Sequence, residues 1–123
     1  MGDRTNFHFK VGDSTLTLYS HWGGYTRKRE LAAALTAAMP RIQMGDTAYA
    51  LRICVSQLIG PAWAEETGFG LILNNQEIYE EEHGLLEIDL NTLTVNDDGM
   101  VKSIEDFINY YNTPVLINEG IAR

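Results

Sequence analysis

Between Leu18 and Leu31 the chain gathers side chains able to bind or react: Tyr19, Ser20, His21, Trp22, Tyr25, Arg27, Lys28 and Arg29, with Gly23 and Gly24 among them. The segment lies where a strand pattern stops and a helix pattern starts, a junction at which sites are often built. Cations in the first turn of a helix oppose the macrodipole, which favours negative charge there by some tenths of about 1 kcal/mol per residue. An anion would offset Arg27, Lys28 and Arg29. Free N–H groups of the first turn, glycines that admit close backbone approach and a cationic rim are the parts of phosphate sites. Trp22 and Tyr25 add stacking surface, and His21 a hydrogen bond or a proton. The alternative stays open that the three cations form a solvated turn paired to carboxylates elsewhere, and that Trp22 plugs the core.

Other chemistry is thinner. Neither Gly-x-x-x-x-Gly-Lys-Ser/Thr nor Gly-x-Gly-x-x-Gly occurs, and Gly68-Phe69-Gly70 reads as a bend or bulge before a strand. His8, His21, His83 and the single Cys54 lack metal-ligand spacing, so neither metal nor cofactor is expected. Cys54 falls on an apolar helix face and reads as a core thiol. Ser20 and His21 are adjacent, and adjacent strand side chains point to opposite faces, a poor nucleophile–base pair. A small hydrolase using His21 as base is therefore a distant reading. Asp97-Asp98-Gly99 suits a turn better than a calcium loop.

Phe7, Phe9 and Val11 alternate with His8 and Lys10, and Leu16 and Leu18 with threonines, which predicts a β-hairpin turning at Gly12-Asp13. Leu31, Ala34, Leu35 and Ala38 predict a helix from Arg27 to Met39, with Thr26 as N-cap and Pro40 at its end. Asp46 caps a second, in which Leu51, Cys54, Val55 and Leu58 share a face and Gly60-Pro61 close it. Tyr49 and Arg52, on that helix, are expected to join the site. Phe69, Leu71 and Leu73 then alternate in a strand stopping at Asn74-Asn75. Leu86, Ile88 and Leu90 follow in another, with an Asn91-Thr92 turn into Leu93-Thr94-Val95. Ser103 and Asp106 make a capping box for a last helix with Ile104, Phe107, Ile108 and Tyr111 on its stripe. Residues 74–85 read as a mobile acidic loop. The order ββααββ(β)α predicts one α+β domain over residues 1–123, an antiparallel sheet with its helices on one face.

Apolar content of 45% and charged content of 21% are those of a globular chain rather than a disordered one. No apolar run approaches the roughly 20 residues needed to span a bilayer, and nothing near Met1 resembles a secretory signal, so a cytoplasmic address is expected. A net charge of −8 argues against direct binding to nucleic acid or an anionic membrane. Through Gly60 the balance is +3; from Pro61 onward it is −11. An anion site would thus belong to the first half and a cation-seeking surface to the second.

The run Leu18-Tyr19-Ser20-His21-Trp22-Gly23-Gly24, with Asp46-x-x-Tyr49 before Leu51-Arg52-Ile53 and Glu66-Thr67-Gly68-Phe69-Gly70 before a strand, resembles a group of small bacteriophage and prophage proteins, especially of actinobacteria. The resemblance implies a phage accessory product, for which antagonism of host defence is a common role; it carries over no catalytic residue. Members often have an acidic residue soon after the glycine pair, where this chain has Tyr25-Thr26-Arg27-Lys28. The expectation is a non-enzymatic binding protein holding an anionic, nucleotide-like molecule or a host protein at this loop. A different reading is an acidic inhibitor presenting Glu65, Glu66, Glu77, Glu80, Glu81, Glu82, Glu87 and Asp89 to a basic, nucleic-acid-binding surface. The apolar Val115-Leu116-Ile117 and Tyr110-Tyr111 admit a homo-oligomer built on an edge strand.

Overall fold

The computed structural model describes residues 2–76 and 82–112. Strands β1 (Thr5–Val11) and β2 (Ser14–Ser20) form the expected hairpin, with Gly12 at φ 61° supplying the left-handed residue of its two-residue turn. Helices α1 (Arg27–Gln43) and α2 (Thr47–Ile59) follow, then a 3₁₀ turn at Gly60–Ala64, and then β3 (Phe69–Leu73). Strands β4 (Leu86–Asp89), β5 (Thr94–Asp97) and β6 (Met100–Ser103) form a meander that leads into α3 (Ile104–Asn112).

The six strands lie in the order β3-β2-β1-β4-β5-β6, all antiparallel except the β1–β4 pair. That parallel pair arises because both helices and β3 intervene before β4 joins the free side of β1, a crossover rather than a hairpin. The fold is α+β with a six-stranded, mostly antiparallel sheet. Register places Phe7 opposite Leu18, Phe9 opposite Leu16 and Ile88, and Ile88 opposite Val95, so these side chains share one face. That face and the helical residues Leu31, Leu35, Ala38, Cys54, Ile104 and Phe107 form one core. The other face carries His8, Thr17 and Glu87, whose positions adjoin across three strands.

Several boundaries differ from expectation for identifiable reasons. α1 does not stop at Pro40 but runs to Gln43, because buried Ile42 anchors the turn that follows the missing proline N–H. Thr26 precedes α1 without capping it; its hydroxyl donates instead to Glu30 Oε2 at 2.7 Å. Asp46 does cap α2, accepting the Tyr49 N–H. Leu93 belongs to the turn, at φ 59°, and β6 is a strand that the periodicity did not announce. Ser103 caps α3 by accepting the Asp106 N–H at 3.0 Å. Residues 77–81 of the acidic loop, and Val115-Leu116-Ile117, lie outside the described residues. No helix among the described residues is long and apolar enough to cross a membrane.

On the polar face, His8 Nδ1 and Thr17 Oγ1 are 2.7 Å apart. Burial lowers the His8 pKa from its ordinary 6.5, and the nearby Glu87 carboxylate works in the opposite direction. The unfolded chain therefore binds this proton more readily than the folded one. The stability contributed by neutral His8 is full above the unfolded pKa and is lost as pH falls from there through the lower folded value. Urea unfolding should accordingly show stability falling as pH is lowered through and below the ordinary histidine value of 6.5. His8→Gln should flatten that part of the profile; an unchanged slope would remove His8 as its cause.

Candidate functional site

The amino end of α1 is assembled from both halves of the chain. β2 carries the loop outward from Ser20, and Gly23 and Gly24 turn it toward the helix. A β-carbon at Gly23 would press on Ser20 Oγ, which accepts the Gly23 N–H at 3.0 Å. One at Gly24 would collide with the His83 ring. The glycine pair thus permits close approach, as its composition suggested, but what approaches belongs to the protein itself.

Two of the three first-turn cations are likewise occupied. Arg27 is turned inward and 5% exposed, its guanidinium donating to the Gly84 carbonyl at 2.7 Å and reaching Thr5 Oγ1 at 3.4 Å. Lys28 pairs with Asp97 at 3.0 Å. Arg29 is exposed. All three line one cleft, with Arg27 and Lys28 engaged by groups of the protein itself. The anion at this corner is Asp3: one carboxylate oxygen accepts the Tyr25 N–H at 2.6 Å and the other meets His83 Nε2 at 2.5 Å. The His83 hydrogen bond, chiefly, holds the Asp3 carboxyl below its usual range, with the Tyr25 N–H assisting against partial burial. Asp3 thus supplies a negative charge of the chain's own at the entry to α1, beside the open cleft of about 680 Å³ lined by Gly24, Tyr25, Arg27, Lys28, Arg29 and His83.

Arg4, next to Asp3, pairs with Glu82 at 3.1 Å. Asp3, Arg4 and His83 are site residues that the sequence did not announce, and Glu82 was expected only on an acidic surface, because nothing in local spacing connects positions about 80 apart in the chain. Tyr49 and Arg52 do not join the loop. Tyr49 lies beneath the Arg41 guanidinium, 4.7 Å from its ring, and Arg52 reaches along its own helix to Ser56 Oγ at 3.2 Å. Of the acidic set, Glu82 is used by Arg4, Asp89 accepts the N–H groups of Asn91 and Thr92, and Glu77, Glu80 and Glu81 lie outside the described residues. Glu65 and Glu66 are exposed. Cys54 is buried, and burial pushes its thiol up to about 12, which makes it inert at neutral pH.

What the loop does leave open is on the other side of β2. An open cleft of about 710 Å³ is walled by Arg4, Tyr19, His21 and Trp22 and floored by residues 67–70. Tyr19 OH and His21 Nδ1 share a hydrogen bond at 2.6 Å, and the His21 ring stands edge-on to Trp22 with centroids 4.6 Å apart. Trp22 is no core plug, at 67% exposed. His21 and Ser20 take opposite sides of the strand, as alternation required, and Ser20 is engaged with Gly23. The floor comes from β3, where the His21 N–H donates to the Gly68 carbonyl and Gly70 sits opposite Tyr19.

Gly68, at φ 105°, makes the bend its sequence suggested. Gly70 has no such need: its φ is not left-handed, and a β-carbon there would meet nothing within 4 Å. Its missing side chain keeps open the space beside Tyr19. A second cleft, of about 410 Å³, adjoins across Trp22 and Phe69 and reaches Pro61 and Ala62. Tyr25 and Trp63 are 88% and 79% exposed.

The Asp3–His83 clasp predicts a coupled effect. Gly24→Ala should cost about 1–3 kcal/mol by forcing the ring away. The part of that cost due to the ring should vanish in the Gly24→Ala, His83→Ala double variant, measured by a denaturation cycle against both single variants, while the part due to the Asp3 carbonyl, 2.9 Å from the same β-carbon, should remain. Additive costs would mean that the ring does not confine Gly24.

Comparisons with family models, with curated proteins and with solved structures returned no match, so the reading of this site rests on its own residues.

Proposed function

We propose that the chain is a non-enzymatic binding protein whose site is the Tyr19–His21–Trp22 cleft, and that the cleft holds a planar heteroaromatic ring of the nucleobase kind. The single observation that carries this is the open glycine floor at Gly70 under an exposed tryptophan, since a strand glycine with neither a conformational nor a contact requirement is suited to a flat group lying against backbone. Trp22 offers the ring a stacking face, and the Tyr19–His21 pair an edge that can donate or accept. A phosphate or other anionic tail would meet Arg4 at the rim, in competition with Glu82. In the phage setting implied by the Tyr19–Gly24 resemblance, such a protein acts by sequestration, keeping a small host molecule from its receptor. A host protein as the ligand is the second reading, favoured by the exposure of Tyr25 and Trp63 beside the loop.

Thermal melts and tryptophan fluorescence with a panel of nucleosides, nucleotides and cyclic nucleotides test the first reading. One class should raise Tm by several degrees at saturation and quench Trp22 emission. Gly70→Val, which fills the floor, and Trp22→Ala should each weaken binding at least tenfold, while Arg29→Ala should leave the ring's contribution unchanged. No response across the panel would overturn it.

A further inference from the structure

We infer that β3 is a self-pairing edge, and that the protein forms a two-fold dimer through antiparallel β3–β3 contact centred on Leu71. Among the described residues the strand ends the sheet on one side. Its bonds to β2 fix which amides face outward: the His21 N–H donates to Gly68 and the Asn74 N–H to Thr15, so antiparallel alternation turns the N–H and C=O groups of Phe69, Leu71 and Leu73 away from β2. Those residues also carry the strand's exposed apolar side chains, with Leu71 59% and Leu73 60% exposed. An uncharged five-residue edge with neither lysine nor proline lacks the usual devices against pairing. The opposite edge, β6, has one in Lys102.

The occupant that fits is a second copy. A two-fold axis at Leu71 sets Leu71 against Leu71 and Phe69 against Leu73 on the same face, apolar against apolar throughout. Beyond the strand it sets Glu66 against Gln76 and Thr67 against Asn75, so no described carboxylate meets its own kind. A parallel arrangement in register would stack Glu66 on Glu66. The contact strip is neutral in a chain of net charge −8, so pairing depends on backbone and apolar groups rather than on ion pairs. The same axis brings Ile72 of the second copy opposite Gly70, where it would wall the open side of each cleft. This extends the binding reading without depending on it: a monomer could still hold a ring, and a dimer could form with its clefts empty.

Sedimentation and light scattering of the full chain at about 50 μM should give a dimer that persists or strengthens in 1 M salt, because screening relieves repulsion between like-charged copies. Leu71→Lys, at a site already exposed, should keep the circular dichroism of the parent and weaken association at least tenfold. Met100→Lys on the β6 edge should not. Under oxidising conditions Leu71→Cys should cross-link to itself, since directly opposed residues bring their Cα atoms to about 5.5 Å. Leu73→Cys, whose opposite number is Phe69, should not. A monomer at every accessible concentration, a dimer dissolved by salt, or a dimer indifferent to Leu71→Lys would overturn the proposal.

Discussion

The negative charge that the amino end of α1 calls for is Asp3, and the surrounding corner follows from that one carboxylate. It accepts the Tyr25 N–H at the helix entry and meets His83 from the second half of the chain. With His83 and the Asp3 carbonyl held there, position 24 has no room for a side chain, and its glycine is a packing requirement. The same inward pull brings Gly84 within reach of Arg27, so a guanidinium that sequence order places in an exposed first turn is buried against a carbonyl. A buried arginine is tolerable only with such acceptors. Removing them would cost far more than any exposed pair contributes.

The charge asymmetry along the chain takes its meaning from the same seam. A basic first half and an acidic second half suggested two opposed surfaces. In the fold the halves interlock, and Arg4–Glu82, Lys28–Asp97 and Asp3–His83 each join one half to the other. Pairs this exposed contribute little to stability, so their value lies in register: Arg4–Glu82 and Asp3–His83 fix where the segment before β4 crosses the start of β1, and Lys28–Asp97 ties α1 to β5. Charges spent on this stitching are not available to a partner. Of the basic rim, Arg29 is left exposed, and of the acidic set Glu65 and Glu66 are.

What could be read from the sequence was whatever depends on local periodicity. The Phe7/Phe9 and Leu16/Leu18 alternation gave the first hairpin, Asp46 the start of α2, and Ser103 the start of α3, because each signal is complete within a few residues. The α1 terminus was misread at Pro40, since one lost hydrogen bond is outweighed by burying Ile42 beyond it, a tertiary effect no local rule contains. The site was legible in part. The loop and its aromatic residues could be marked, but the face on which they open depends on Tyr19 lying opposite Gly70, a pairing across 51 positions. Asp3 and His83 were invisible for the same reason.

Gly70 then admits a physical reading that its composition alone did not. Glycine in a strand sacrifices both conformational entropy and packing area, a penalty of roughly 0.5–1 kcal/mol relative to alanine, and it is usually offset by a positive φ or by a neighbour that would clash. Gly68, two residues earlier, has the first justification, and Gly24 has the second. Gly70 has neither, although it stands opposite a tyrosine whose hydroxyl is hydrogen-bonded to His21. A side chain there would occupy the space into which Tyr19, His21 and Trp22 all face. The stability forgone at this position is therefore matched by an opening beside Tyr19, His21 and Trp22 that the described residues leave unfilled.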